Sequence, residues 1–331
     1  MVRLLQTLLY IPIQIAFIPA AIVGMLVGVY KEFVVSPRRD VSYSAGQTLQ
    51  YRWFMHHLGT RPDPHSVAFT RHFPCESHHG LWAMMGALIL SRRWFGFTTK
   101  LSTLPEPGEE TLDTAAAARV LAFDRIIQKY VDDVDQIVIP GVGFDLIANH
   151  FTAGKPVRVF ELDQVGTLNI KVETLKEAGI PHDWITYIPV DYARESWSDR
   201  LLEAGFDRTK RTLFLWQSVS HFLEADVAME TLRTMAELGA DDSVLVLDLY
   251  SRAFLSGETS MAARSQANLM RKMGEPWIFG IDMSEDPRVA VEAFLEECGL
   301  QMTEYTQFGE KLEIEPYYCI VEAKRSGGAS G

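Results

Sequence analysis

The sequence predicts an α/β protein built on a doubly wound, mostly parallel sheet, with an N-terminal helical segment set apart from it. Two observations carry this reading. From about Pro105 onward, short apolar runs alternate with amphipathic stretches of helical period, the pattern of buried parallel strands joined by crossover helices. Before that point lies a stretch from Leu4 to Tyr30 without a single charged residue.

The elements follow in order. Pro105–Gly108 reads as a loop, and Thr111–Val131 as an alanine-rich helix. The apolar runs 136–139, 157–162, 185–190, 212–216 and 244–249 read as five successive strands. Helices are expected at about 165–178 and 226–238, between strands, and then near 258–273 and 290–298. A last strand is expected at 317–321. No internal repeat is visible, and only Ser326–Gly331 (SGGASG) is low in complexity.

The 331 residues suffice for one large domain or a core domain with a substrate-facing addition. A formal charge of −12 provides no global basic field, so nucleic acid is not an expected partner. Cys75, Cys298 and Cys319 lie far apart without a CxxC pair, which argues against a disulfide framework or a structural zinc site. His56, His57, His65, His72, His78 and His79 are irregularly spaced, and no metal site is expected from them.

The uncharged run Leu4–Tyr30 exceeds the roughly 20 residues a helix needs to cross a bilayer. Gln6, Pro12, Gln14 and Pro19 weaken but do not exclude spanning. Lys31, Arg38 and Arg39 follow, which places the remainder on the cytoplasmic side by the positive-inside tendency. The expectation is a membrane-associated protein with membrane lipid as a partner; the other reading is a buried core helix. Leu81–Leu90, followed by Arg92, Arg93 and Trp94, suits either a helix at headgroup level or a core helix with a basic end. The implied organisation is an anchor at 1–35, a helical substrate or lid region at 36–108 and the sheet domain at 109–325.

In such sheets ligands bind beyond the carboxyl ends of the strands. After the first strand comes Gly141-Val142-Gly143, which allows close backbone approach to a ligand. After the second comes Glu161-Leu162-Asp163, where an acid can accept from a ribose diol. After the third comes Asp191-Tyr192, a carboxylate and a ring placed for adenine. Each acid alone also reads as a helix cap, but their order along the strand ends is that of a nucleoside. There is no third glycine and no GK[ST] motif, so a phosphate-bearing ligand fits less well than S-adenosylmethionine.

The segments ARVLAFD (118–124), QIVIPGVGFD (136–145), VFELD (159–163), IPVDY (188–192), AGFD (204–207) and FLWQSVSHFL (214–223) resemble the leucine carboxyl methyltransferase family. GEPWIFGID (274–282) and FLEECGL (294–300) resemble the closing part of its bacterial branch. The resemblance covers about the last two-thirds of the chain and implies a Rossmann-like class I methyltransferase. It further implies that Arg119 pairs with the methionine carboxylate of the cofactor, and that Gly141 and Gly143 form the loop beneath it. Asp163 would hold the ribose, Asp191 and Tyr192 the adenine, and Gln217 the amino acid part. Pro140, Gln217 and Phe222 depart from the family's aliphatic residue, Glu and Tyr. His221 is a candidate base. The expected function is O-methylation of a lipophilic small molecule, a carboxylic acid or a hydroxyl compound, at the membrane. Methylation of a protein C-terminus and a tethered cofactor-binding protein without catalysis are the alternatives.

Overall fold

The computed structural model describes residues 2–39, 41–192 and 194–327; the end of the low-complexity tail, 328–331, lies outside them. The chain opens with α1 (Val2–Tyr30), a π-helical turn (Lys31–Val35) and the single turn α2 (Ser36–Arg38). Helices α3 (Tyr43–Leu58), α4 (Pro64–His72) and α5 (His78–Phe95) follow, then α6 (Ala115–Tyr130). The alternating part runs β1 (Gln136–Pro140), α7 (Ile147–Phe151), β2 (Arg158–Asp163), α8 (Val165–Glu177), β3 (Ile185–Pro189), α9 (Trp197–Glu203), β4 (Thr212–Trp216), α10 (Ala225–Leu238) and β5 (Val244–Tyr250). It closes with α11 (Arg252–Ser256), α12 (Met261–Lys272), α13 (Pro287–Glu297), β6 (Leu300–Gln307) and β7 (Tyr318–Arg325).

Among the described residues the strands form one seven-stranded sheet in the order β3-β2-β1-β4-β5-β7-β6. β1 to β5 pair in parallel, and β7 enters antiparallel between β5 and β6. β1 and β4 are buried at every position, as central strands covered on both faces should be. One apolar layer gathers Phe123 and Ile127 of α6 under Ile137, Val159 and Leu213. The opposite layer gathers Leu232 and Met235 of α10 and Leu295 of α13 over Val138, Phe160 and Phe214.

The sequence expectation of a doubly wound, mostly parallel sheet therefore holds. The strand β6 was not anticipated. Its residues LQMTEYTQ are half exposed at the sheet edge, so no apolar run marks them. The last strand begins at Tyr318 and continues to Arg325, past the expected end at Val321.

Of the described residues, Val2–Arg38 is the one helical stretch long and apolar enough to cross a membrane. Leu4, Ile15, Val23 and Leu26 are each about 60% exposed (65, 60, 60 and 59%), so α1 is not a core helix of this fold. It rests instead on α5. A Cβ on Gly24 would fall 2.6 Å from the Gly80 carbonyl, and one on Gly86 would fall 2.6 Å from the Phe17 ring. Small residues thus let the two helices approach closely. Tyr10 stacks on Phe97 at 4.2 Å, and Lys31 donates to the Pro74 carbonyl at 2.6 Å. α5 is in part a core helix. Leu81, Leu88 and Ile89 join a core cluster around Trp53, while Trp94 at the basic end is 66% exposed.

Three histidines of this region are packed into the structure. His56 Nδ1 accepts from the Asp63 amide at 2.9 Å, and His78 Nδ1 accepts from Trp53 Nε1 at 3.0 Å. His57 packs edge-on to Trp53 at 4.3 Å, and burial and its cationic neighbours push its pKa down to about 4. Among the described residues no group of His, Cys, Asp and Glu is arranged to hold a metal ion.

Candidate functional site

A cavity of about 650 Å³ opens at the carboxyl ends of β1, β2, β4 and β5, within the usual size of a small-molecule site. Its floor is the glycine turn after β1. Gly141 and Gly143 adopt φ of 69° and 54°, and a Cβ on Gly141 would lie 2.6 Å from Val219. Only glycine serves there.

Asp163 sits at the end of β2 and fixes this turn. Its two carboxylate oxygens accept from Gly143 N at 2.7 Å and Gln164 N at 2.8 Å. Each oxygen keeps a lone pair for an outside donor. Burial raises the Asp163 pKa despite these bonds. Glu161, two residues earlier, lies fully buried against Lys171 at 2.6 Å. Lys171 also donates to the Asp145 carbonyl at 2.7 Å, so Glu161 belongs to the scaffold.

Beyond β3 the expected pair separates. Tyr192 lines the cavity and Asp191 does not. The Asp191 carboxylate lies 3.7 Å from Arg194 in an exposed ion pair. Glu195, four residues on, reaches the wall and accepts from the Asp191 amide at 2.9 Å.

β4 ends in Trp216, and Gln217 follows in the wall. Ser218 has φ of 56°, a left-handed conformation rare for serine and of a kind found at functional sites. Asp248, fully buried on β5, holds it there by accepting from Ser218 N at 2.7 Å and Ser218 Oγ at 3.1 Å. Tyr318 of β7 donates to the same carboxylate at 3.0 Å. Arg119 of α6 donates to Ser218 Oγ, to Tyr250 Oη at 3.4 Å and to Thr48 Oγ1 at 3.2 Å. It also stands 4.0 Å from Asp248. Its Nε is buried without a partner among the described residues, an orphan donor that an anionic ligand would satisfy.

His221 lies in a 3₁₀ turn, packed on Phe222 at 4.1 Å and Tyr250 at 4.6 Å. Burial first and Arg119 second push its pKa down to about 3. The imidazole is therefore neutral at working pH, and its Nδ1 has no partner among the described residues. Beyond His221 the wall turns apolar, with Phe254, Met270, Trp277 and Tyr317.

The roof comes from the N-terminal part. Ser42, Ala45, Thr48 and Tyr51, at and within α3, face the cavity. Glu275 clamps the start of α3 by accepting from the Tyr43 and Ser44 amides, the latter at 3.1 Å. Below the roof, Arg52 is wholly buried and donates to Asp145 at 2.8 Å. Sequence reasoning missed Arg52, Ser218, Asp248, Tyr250 and Glu275. Asp248 alone carried a visible signal, an acid inside the apolar run VLVLDLY.

The leucine carboxyl methyltransferase family model matches residues 85–236. That span holds Arg119, the glycine turn, Asp163, Gln217 and His221, but not Asp248 or the β6–β7 hairpin. A Mycobacterium tuberculosis protein named as an S-adenosyl-L-methionine-dependent methyltransferase is 28% identical over 249 residues, covering 72% of this chain and 77% of its own. A like-named protein of Mycobacteroides abscessus is 26% identical over 212 residues, covering 58% and 69%. Solved structures similar to this one include the pyocyanin biosynthetic protein PhzM, at TM-score 0.44 and 18% identity over 81% of this chain and 75% of that one. Magnesium protoporphyrin IX methyltransferase from Synechocystis PCC 6803 with bound SAH aligns at TM-score 0.43 and 11% identity, over 69% and 92%. The relatives' names give S-adenosylmethionine as their cofactor, and the glycine turn, the acceptor pair of Asp163 and the orphan donor of Arg119 in this chain fit such a molecule. Over residues 85–236 this chain is similar to the leucine carboxyl methyltransferase family, and its relatives in mycobacteria are named as S-adenosyl-L-methionine-dependent methyltransferases.

Proposed function

We propose that this chain is an O-methyltransferase for a lipophilic small molecule, working at a membrane with its sheet domain on the cytoplasmic side. The observation that carries the reading is the division of one cavity into a polar half and an aromatic half, with His221 between them. When bound, the cofactor supplies an electrophilic methyl group on a sulfonium. Asp163 accepts from the ribose hydroxyls, Tyr192 packs beside the adenine, and Arg119 and Gln217 hold the amino acid end. Asp191 has at most an indirect part, through Glu195. His221 receives a proton if the acceptor is a hydroxyl group. The aromatic half excludes water and positions the acceptor for in-line attack, where orientation supplies much of the rate.

The membrane part rests on α1, whose apolar side chains face outward along its length, and on Lys31, Arg38 and Arg39 behind it. In this reading residues 1–35 anchor the protein, 36–108 roof the site and 109–325 bind the cofactor. Incubating the full-length protein with a membrane extract and methyl-labelled cofactor tests it. Label in the organic phase supports the proposal. Label in the protein fraction would instead indicate methylation of a protein carboxyl group and refute it.

A further inference from the structure

The charge of the acceptor can be read from the cavity wall. Among the described residues the wall has one cationic side chain, Arg119, against three carboxylates, Asp145, Asp163 and Glu195. Arg119 is already shared among Ser218, Tyr250, Thr48 and the Asp248 carboxylate. Its remaining donors, Nε and one hydrogen of Nη2, suffice for one incoming carboxylate, that of the cofactor's methionine part. An acceptor carboxylate would share this wall with Asp145, Asp163 and Glu195 and have no protein cation of its own, only the cofactor's sulfonium opposite it. A desolvated carboxylate without a fixed protein partner is disfavoured.

The far half of the cavity offers something different. Phe254 and Trp277 lie nearly parallel, with ring centroids 5.6 Å apart and planes at 29°. Tyr317 adds its ring 5.8 Å from Phe254. His221 meets Trp277 edge-on at 6.1 Å, which brings the neutral imidazole to the edge of this aromatic wall. Such a surface receives a flat apolar body, and the imidazole at its edge can receive an O–H.

We propose that the methyl acceptor is an uncharged hydroxyl group on an apolar, ring-bearing molecule, and not a carboxylate. This rests on the reading of the chain as a small-molecule O-methyltransferase. In the step, the hydroxyl oxygen forms a bond to the methyl carbon. The carbon–sulfur bond of S-adenosylmethionine breaks with its electron pair left on sulfur. The hydroxyl proton passes to the imidazole of His221 and from there to water. Arg119 helps indirectly: once the cofactor's carboxylate offsets its charge, one of the two influences that keep His221 from accepting a proton is reduced.

The test uses the full-length protein in detergent with methyl-labelled S-adenosylmethionine and the organic-soluble fraction of a membrane extract. The organic-phase product is then treated with mild alkali. A methyl ether keeps its label in the organic phase, whereas a methyl ester is cleaved and releases volatile labelled methanol. Alkali-stable label that stays organic at acid pH is the expected result. Volatile label would overturn the inference while leaving O-methylation intact. Alkali-stable label that moves into aqueous acid would identify an amine and overturn it as well. Absence of organic-phase label from protein that still binds cofactor would overturn the functional reading and this inference together. With the labelled acceptor identified, Trp277→Leu should raise its KM about tenfold and leave the cofactor Kd within twofold. An unchanged KM would contradict the role of the aromatic wall.

Discussion

Asp163→Ala separates binding from architecture at the carboxylate on which the cofactor reading most depends. The side chain has two sets of partners. Inside the protein it accepts from Gly143 N and Gln164 N at 2.7 and 2.8 Å; toward the cavity it would accept from two ribose hydroxyls. Removing the inner bonds leaves two amides seeking water, a loss of about 1–3 kcal/mol in stability, at the lower end because the site is only half-buried. Removing the outer pair costs about 2–4 kcal/mol of binding, at roughly 1.4 kcal/mol per decade a 30- to 700-fold rise in Kd. Calorimetric titration with S-adenosylhomocysteine reads the second quantity and thermal denaturation the first. The α8 N-cap is Gln164, without a side-chain capping bond, so a plain capping role for Asp163 is already disfavoured. If the variant loses stability yet binds within twofold of the parent, Asp163 only pins the glycine turn, and the ribose assignment is wrong.

Three further outcomes follow from other parts of the molecule. Arg61 pairs with Asp63 and Asp124 in a buried cluster, so Arg61→Met should cost about 3–5 kcal/mol, and adding Asp124→Leu should restore part of it; equal melting of parent and single variant would contradict the cluster. Folding lowers the His221 pKa from 6.5 to about 3, so the unfolded chain binds the extra proton between those values. Its stabilising contribution is complete above pH 6.5 and declines as pH falls toward 3, by about 2 kcal/mol at pH 5. Denaturant titrations of His221→Asn should show a correspondingly shallower loss between pH 6.5 and 5, and an identical slope would show that the ring is not buried neutral. The full-length protein should pellet with membranes and resist alkaline carbonate, because apolar burial is not screened by salt. Deleting residues 2–30 should leave cofactor binding within about threefold while uncovering the α5 face that Phe17 and Gly24 cover; full-length protein found wholly in the soluble fraction would refute the anchor.

The sheet was legible because β1, β2, β4 and β5 are covered on both faces and therefore appear as apolar runs, with turn residues and acids at their ends. The glycine turn and Asp163 were legible for the same reason: strand ends are where such a fold gathers ligands. β6 was not, since an exposed edge strand needs few apolar residues. The region 36–108 was expected to be helical, but which side of α3 turns inward was not legible, because its sequence YSAGQTLQYRWFMHHL has polar residues on every side. Its inward face is set by partners far away in the chain, above all Asp145, which is 93 residues from Arg52. A single sequence gives no hint of that pairing. Asp191 and Glu195 show a finer limit. The sequence marks an acid after β3, but the course of a loop decides which of two nearby carboxylates reaches the cavity.

The buried charges also explain why the N-terminal hundred residues are more than a tether. Arg52 on α3 reaches Asp145 in the glycine turn, and Arg61 reaches Asp124 on α6, the helix that carries Arg119. Asp63 lies between the two arginines, at 3.9 Å from Arg52. Ion pairs removed from water keep their positions only while every partner is present. The roof therefore cannot shift without disturbing the turn below the cofactor and the helix beside it. Glu275 ties the other end of the roof to the segment that leads to Trp277, in the aromatic half. Both halves of the cavity thus hang on α3. A change of α3 position that tightened one half would be felt in the other, which is the physical requirement for coupling between cofactor and acceptor binding. The Thr48 hydroxyl, accepting from Arg119 at 3.2 Å, is the point where the roof touches the cofactor's expected carboxylate partner directly. Thr48→Val removes that acceptor with little change in volume. It should weaken cofactor binding by about 0.5–1.5 kcal/mol, the net worth of one hydrogen bond. If the Kd for S-adenosylhomocysteine does not move, the roof acts on Arg119 only through packing, and the coupling must run through Arg52 and Asp145 alone.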